Sequence, residues 1–296
     1  MTETVTRQAR KTEGGVGLGD GLAPTLDPEV AVVRARTVTP DLRRRLLSGD
    51  LAIRAASVIA VLAIWEFFGP SLNRLILRPP SQIVAAFFDL LGNGELQVAL
   101  VQSVRMMAIG FSIALVAGLF IGIASGRWRI LFNVLDPWVS ALYSVPAVAL
   151  VPLIAVAFRY EGELPHIATI ALFAIFPILI NTQQGVRNID PGLMEVARAF
   201  NTSERRLWLD VIVPSAMPFI LAGVRLAIGR ALIGMIVAQF LISLLGLGYL
   251  IVVYQNTFRI DKMFVPVIVV SALGVVLMGL VQFVEGRVAP WLRREQ

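Results

Sequence analysis

Long apolar runs separated by short charged or Gly/Pro-rich stretches repeat along this chain. As helices they are long enough to cross a bilayer, which takes about 20 residues. The runs fall at roughly 51–69, 99–124, 132–158, 166–185, 212–242 and 264–284. Ahead of them, residues 1–48 are rich in Gly, Thr, Asp and Arg, contain Pro24, Pro28 and Pro40, and keep no apolar period. A largely disordered tail is expected there. No short apolar core with a cleavage site follows its first charges, so it does not read as a signal peptide. Residues 49–296 read as one all-α transmembrane domain of six helices.

Between the first two runs, Pro79-Pro80-Ser81 precedes Ile83, Val84, Phe87, Phe88 and Leu91 at helical spacing. That pattern suits an amphipathic helix on the outer surface, or equally a helix packed on the bundle. Pro146 and Pro152 are expected to kink the third run, as a gate or as passive packing. The Gly-rich stretches at 118–122 and 223–234 read as close helix contacts.

Composition supports the bilayer as solvent: 57% of residues are hydrophobic and 16% charged. The absence of cysteine excludes disulfides, thiolate metal sites and a cysteine nucleophile, and the lone His166 excludes histidine clusters. No metal site and no catalytic residue is expected. The formal charge of +6 comes almost wholly from arginine, and because these charges share no single face, nucleic-acid binding is not expected. They follow the loops instead. Arg34, Arg36 and Arg43 to Arg45 precede the first run, Arg127 and Arg129 follow the second, Arg187, Arg198, Arg205 and Arg206 follow the fourth, and Arg287, Arg293 and Arg294 close the chain. The other loops hold fewer, so both termini and the 187–211 segment are expected in the cytoplasm.

That segment is the most informative stretch. Asp190-Pro191 gives a helix start, with Asp accepting at the N-cap and Pro losing no needed donor at N1. Glu195 lies in the first turns, where a carboxylate suits the helix dipole. Ala197 and Ala199 leave room for a close surface, and Asn201 tolerates the left-handed turn into a second short helix capped by Thr202 or Ser203. Pro214 and Pro218 then bend or start the fifth span.

Glu195, Ala197, Val213 and Pro214 resemble the coupling loop of bacterial ABC-importer permeases, in which Glu-Ala-Ala is followed by Gly six positions after the Glu and Pro nineteen after it. Val196 and Asn201 depart from that pattern. Trp65-Glu66, Pro79-Pro80-Ser81, Ser103, Gly110-Phe111, Asp136-Pro137, Val145-Pro146, Phe176-Pro177, Gly185-Val186-Arg187, Gly223-Val224-Arg225 and Gly246-Leu247-Gly248 extend the resemblance to the nitrate/sulfonate/taurine type of permease. Met106 for a frequent Arg, with Arg105 beside it, and Ala238-Gln239 for a frequent carboxylate are further departures.

The resemblance implies a type I ABC-importer (MetI-like) permease fold in a bacterial inner membrane. It implies two permease copies, expected as a homodimer, docked on two cytoplasmic ATPases, with an external solute-binding protein. Glu195, Ala197, Arg198, Asn201, Arg205 and Pro214 would form the ATPase-coupling element. No Gly-x-x-x-x-Gly-Lys-Ser/Thr loop occurs, so ATP and magnesium are expected on the partner and this chain is not expected to be an enzyme. Arg225 and Arg230, eleven and sixteen residues after Pro214, fall well inside the bilayer. With Gln239 and Ser243 they would line a path for an organic anion such as a sulfonate, or else tie spans together or seal a dimer seam. Two rival classes fit less well: an ion-coupled transporter needs intramembrane carboxylates, and few lie near a span, Glu66 and Asp136 among them. A non-transporting scaffold gives no reason for the loop spacing.

Overall fold

The computed structural model describes residues 40–72, 78–159, 162–242 and 245–288. The chain divides into units at 1–58 and 59–296. In the first unit the described residues are the opening turns of α1 (Pro40–Leu72), where the Ser57 hydroxyl donates to the Arg54 carbonyl. Residues 1–39 of the expected tail lie outside the described residues, and α1 begins at Pro40, ahead of the expected boundary at 49.

The second unit continues α1 into α2 (Pro80–Gly92), α3 (Glu95–Arg127), α4 (Arg129–Ser144), α5 (Ala147–Ala157) and α6 (Leu164–Arg187). Then follow α7 (Pro191–Ala199), α8 (Glu204–Arg206), α9 (Val213–Leu241), α10 (Gly246–Asn256) and α11 (Ile260–Val288). Among the described residues, five helical stretches are long and apolar enough to cross a membrane: Ala52–Gly69, Glu95–Arg127, Leu164–Arg187, Glu204–Leu241 and Ile260–Arg287.

The centre is α6, held between α3 and α9. Gly110, Ala114, Gly118 and Gly122 put a small residue at every fourth position of α3, facing α6 residues Ile170, Ile178 and Thr182. In lipid there is no water to expel from between helices, so close packing decides which faces meet. The approach is tight: a Cβ at Gly122 would stand 2.8 Å from the Leu179 carbonyl oxygen, and one at Gly223 of α9 2.8 Å from Asn181 Cβ. Met106, Ala114, Ile170, Ala174, Ile178, Ala227, Ala231 and Met235 fill the core between the three helices.

The pairing order also fixes direction. Gly110 meets Ile170 and Gly126 meets Val186, so α3 and α6 run parallel, whereas Gly223 meets Asn181 and Gly234 meets Phe173, so α9 runs antiparallel to α6. A chain that runs the same way in α3 and α6 must return between them. The return is made by α4 and α5, which are bent by 99° and supply the sixth crossing.

The third run is therefore broken where a kinked helix was expected. Pro146 pushes the residue before it out of helical geometry, and Val145 is extended at φ −72°, ψ 132°. Pro152 stays inside α5. Of the two readings open for the segment after Pro79, packing on the bundle is the one seen: α2 buries Ile83, Ala86 and Leu90, and leaves Val84, Phe88 and Leu91 exposed. Its first turn is capped from a distance, since the Glu66 carboxylate accepts from Ser81 N–H at 3.0 Å and from the Ser81 hydroxyl at 2.7 Å. Trp65 sets its ring edge-on to Phe264, with centroids 5.9 Å apart.

Candidate functional site

Local rules place the polar segment as its residues predict. Asp190 Oδ1 accepts from Gly192 N–H at 2.8 Å, and Pro191 opens α7. Asn201 adopts φ 47°, its N–H donates to the Arg198 carbonyl at 2.9 Å, and Thr202 N–H reaches the Ala197 carbonyl at 3.0 Å. This pair of bonds is a Schellman ending, which satisfies the last carbonyls of α7 and fixes the exit angle of the chain.

Beyond the turn, the second short helix is not a separate element. From Glu204 the chain is helical without interruption to Leu241, so Pro214 lies inside the fifth span and does not start it. Ser203 holds the cap position without a side-chain bond. Leu207–Ile212 winds as a π-helix, with Val213 N–H reaching back to the Trp208 carbonyl. Pro214 offers no N–H for the carbonyl four residues before it, and the wider turn sits where that register is disturbed.

One face of α7 is anchored and the other open. Ala197 is buried, while Leu193, Val196 and Phe200 are 48%, 55% and 80% exposed, flanked by the exposed Glu195 and Arg198. Beneath the anchored side lies a cavity of about 300 Å³ lined by Gly126, Arg127, Arg187, Met194 and Ile212. Arg127 at the end of α3 pairs with Glu204 at 3.7 Å, and the Arg187 guanidinium lies 3.7 Å above the Phe132 ring. The segment is thus seated on the ends of α3, α6 and the long helix that becomes α9.

Of the four residues expected on a solute path, the three that are described separate. Arg225 bonds both carboxylate oxygens of Glu285 on α11, with Nε 3.3 Å from Oε1, and so ties two helices together. Arg230 faces a cavity of about 280 Å³ at the α4–α5 break, beside Tyr143, Ser144, Pro146 and Phe176. Gln239 does not face the arginines but is buried, its Nε2 donating to Ser103 Oγ at 2.9 Å and its Oε1 accepting from Gly248 N–H at 2.8 Å. Ser243 lies outside the described residues.

Gln239 has a structural role that spacing did not reveal. Helix α10 begins with N–H groups that have no intrahelical partner. Gly246 donates to Gln102 Oε1 at 3.1 Å, Leu247 to Ser103 Oγ at 2.9 Å and Gly248 to Gln239 Oε1. The start of α10 is therefore capped by side chains of α3 and α9. Gly246 has φ 87°, and a Cβ there would fall 2.4 Å from Gln239 Nε2, which explains the glycine.

The bundle end opposite α7 carries its own charge pairs. Lys262, buried on α11, bonds Asp89 of α2, and the hydrogen bond and charge of that ammonium hold the Asp89 carboxyl below the usual range. Tyr254 of α10 donates to Glu95; burial first, and that bond second, push its hydroxyl well above the ordinary phenol value. Arg105 pairs with Glu163 at the start of α6.

Glu285 and Ser103 are supporting residues that sequence reasoning did not link. Ser103 and the glycines at 246–248 stood out as separate motifs, while nothing local marks Glu285 as the partner of Arg225.

Residues 114–290 match the model of the family described as "Binding-protein-dependent transport system inner membrane component". The chain is 34% identical over 233 residues to the putative aliphatic sulfonates transport permease protein SsuC of Bacillus subtilis, covering 78% of this chain and 84% of that protein. To the protein of the same name from Escherichia coli it is 36% identical, covering 79% and 89%. To the nitrate import permease protein NrtB of Synechocystis sp. it is 31% identical, covering 80% and 90%. Among solved structures, a crystal structure of an amino acid ABC transporter with histidines shares the fold, with a TM-score of 0.55 and 19% identity over 68% of this chain and 98% of that one.

Proposed function

The chain belongs to the family of binding-protein-dependent transport system inner membrane components, and on that premise we propose that it is the solute-conducting subunit of an ATP-driven importer for a small anion. It is an ABC-importer permease of the nitrate/sulfonate type, a membrane-spanning subunit and not itself an enzyme. ATP and magnesium bind to two cytoplasmic ATPase subunits, an external solute-binding protein delivers the cargo, and a second copy of this chain completes the path.

The observation that carries this reading is the exposed apolar face of α7. Leu193, Val196 and Phe200 lie on a short helix whose two ends are fixed by Asp190 and Asn201. An apolar face held rigidly outside the bundle suits a protein partner. The charges support an orientation: Arg127, Arg129, Arg187, Arg198, Arg205, Arg206 and Arg287 lie at the α7 end, and this arginine excess supports a cytoplasmic position for that end and for both termini.

The mechanism is mechanical. Closure of the ATPase pair moves α7, whose exit is fixed by the Schellman turn and whose continuation is the helix Glu204–Leu241. Because α3, α6 and α9 touch too closely to slide independently, they move as one body. The break at Val145-Pro146 is where backbone geometry allows the third span to yield. The path then switches access by rigid-body rotation, with no bond chemistry in this chain.

Relatives named for aliphatic sulfonates and for nitrate support an anionic cargo, and Arg230 facing a cavity supports it from this chain's own residues. The test is purification of the tagged permease with its ATPase. Phe200→Asp is expected to abolish co-purification while leaving membrane insertion intact, and retention of the ATPase on the variant would contradict the reading.

A further inference from the structure

The bend between α4 and α5 is flanked by two cavities that share one residue. The upper one, about 280 Å³, lies at the break and includes Arg230, Ser144 and Phe176 in its wall. The lower one, about 330 Å³, lies between α4 and α6 toward the α7 end and includes Asp136, Gln183, Gln184 and Arg187. Tyr143 lines both, and its ring packs against Phe176 with centroids 5.9 Å apart at 53°.

The two cavities differ in charge. Among the described residues no carboxylate pairs with Arg230, and none lines its cavity. A guanidinium inside a membrane span without a counter-ion is costly unless a cavity or ligand receives it. In the lower cavity Arg187 stacks on Phe132 and shares the space with Asp136, so its attraction for an anion is partly offset. The charge balance thus favours an anion more above Tyr143 than below it. Both volumes lie near the small end of the range for ligand sites of about 300–1,000 Å³, which suits a short sulfonate or a nitrate.

We propose that these cavities are consecutive stations for one small anion, with Arg230 as the capturing cation and Tyr143 as the partition between them. The proposal rests on the importer reading above and adds to it the seat of the cargo and the element that separates the two stations. Widening of the bend would move the Tyr143 ring off Phe176 and join the two spaces.

Because the chain contains no cysteine, one introduced thiol reports on one cavity. The test uses the complete transporter, with its ATPases and binding protein, in proteoliposomes. Ser144→Cys reports the upper station and Gln184→Cys the lower, each labelled with a neutral maleimide with and without sodium ethanesulfonate, against sodium chloride at equal ionic strength.

Ethanesulfonate is expected to slow labelling at both positions. Adding Arg230→Gln should remove protection at 144 and lower ATP-driven uptake about tenfold or more, the effect of losing one charge-assisted hydrogen bond. Protection at 144 that survives Arg230→Gln, with uptake unchanged, overturns the stations while leaving the importer reading in place. If the wild type takes up neither ethanesulfonate nor nitrate with ATP, the reading falls and the stations with it. Should Arg230→Gln fail to assemble, Tyr143→Ala carries the test: it is expected to leak ethanesulfonate without ATP, and a seal as tight as the wild type's overturns the partition.

Discussion

Arg225 on α9 bonds Glu285 on α11 through both carboxylate oxygens, while Arg230, on the same helix, has no such partner among the described residues. Two arginines that look alike in the sequence therefore do different work: one joins helices and the other faces a cavity. Arg225 is half exposed, so the pair is expected to contribute about 1 kcal/mol. Glu285→Gln should lower the melting temperature of the detergent-solubilised protein, and Arg225→Gln combined with it should cost less than the sum of the two single changes. Additive losses would show that the two side chains do not act as a pair.

The α3–α6 contact predicts opposite outcomes for two chemically identical substitutions. Gly122→Ala puts a Cβ 2.8 Å from the Leu179 carbonyl oxygen and Thr182 Cβ, an overpacking that should destabilise by about 1–3 kcal/mol. At Gly279 nothing lies within 4 Å of the new Cβ, so Gly279→Ala should stabilise by up to about 1 kcal/mol through helix propensity. Thermal unfolding of the pair in one detergent checks both signs.

Asn201 departs from the glycine seen in related coupling loops, yet its φ of 47° is the conformation glycine would adopt without strain. Asn201→Gly is expected to leave coupled ATP hydrolysis intact. Asn201→Val should strain the Schellman turn by about 1–2 kcal/mol and lower coupling without blocking insertion. Equal coupling in the glycine and valine variants would remove the turn from the force path.

Glu195 stands on the exposed side of α7, among the residues proposed to meet the ATPase. Glu195→Arg reverses the charge there and should leave the permease in the membrane while abolishing transport-coupled ATP hydrolysis. Reconstituted vesicles that hydrolyse ATP in step with uptake despite this change would contradict the docking role.

Local chemistry was legible and distant pairing was not. The first span expected at 51–69 is found at Ala52–Gly69, and the fourth, expected at 166–185, lies within Leu164–Arg187, because hydropathy over one helix is a local quantity. Asp190 at the cap, Pro191 at N1 and Asn201 in the left-handed turn were read correctly for the same reason. The 99° break needed the direction of α6 relative to α3, and the π-turn before Pro214 needed the continuity of the helix from Glu204. Gln239 was misplaced because its partners, Ser103 and the start of α10, lie across the bundle or beyond an intervening turn. Helical spacing on α9 alone cannot show which neighbour a side chain faces.

The central claim is that α7 is gripped by an ATPase and moved by it. Val196 is exposed on the open face of α7 and Leu153 is exposed on α5, well away from it in the chain. With a thiol introduced at each position in turn, and a short bifunctional cross-linker carried to it in intact membranes, Val196→Cys should capture the ATPase subunit and Leu153→Cys should not. Failure of Val196→Cys to form any adduct with the ATPase in a transporter that still imports, or labelling of that thiol by an impermeant reagent from the external side, would contradict the account.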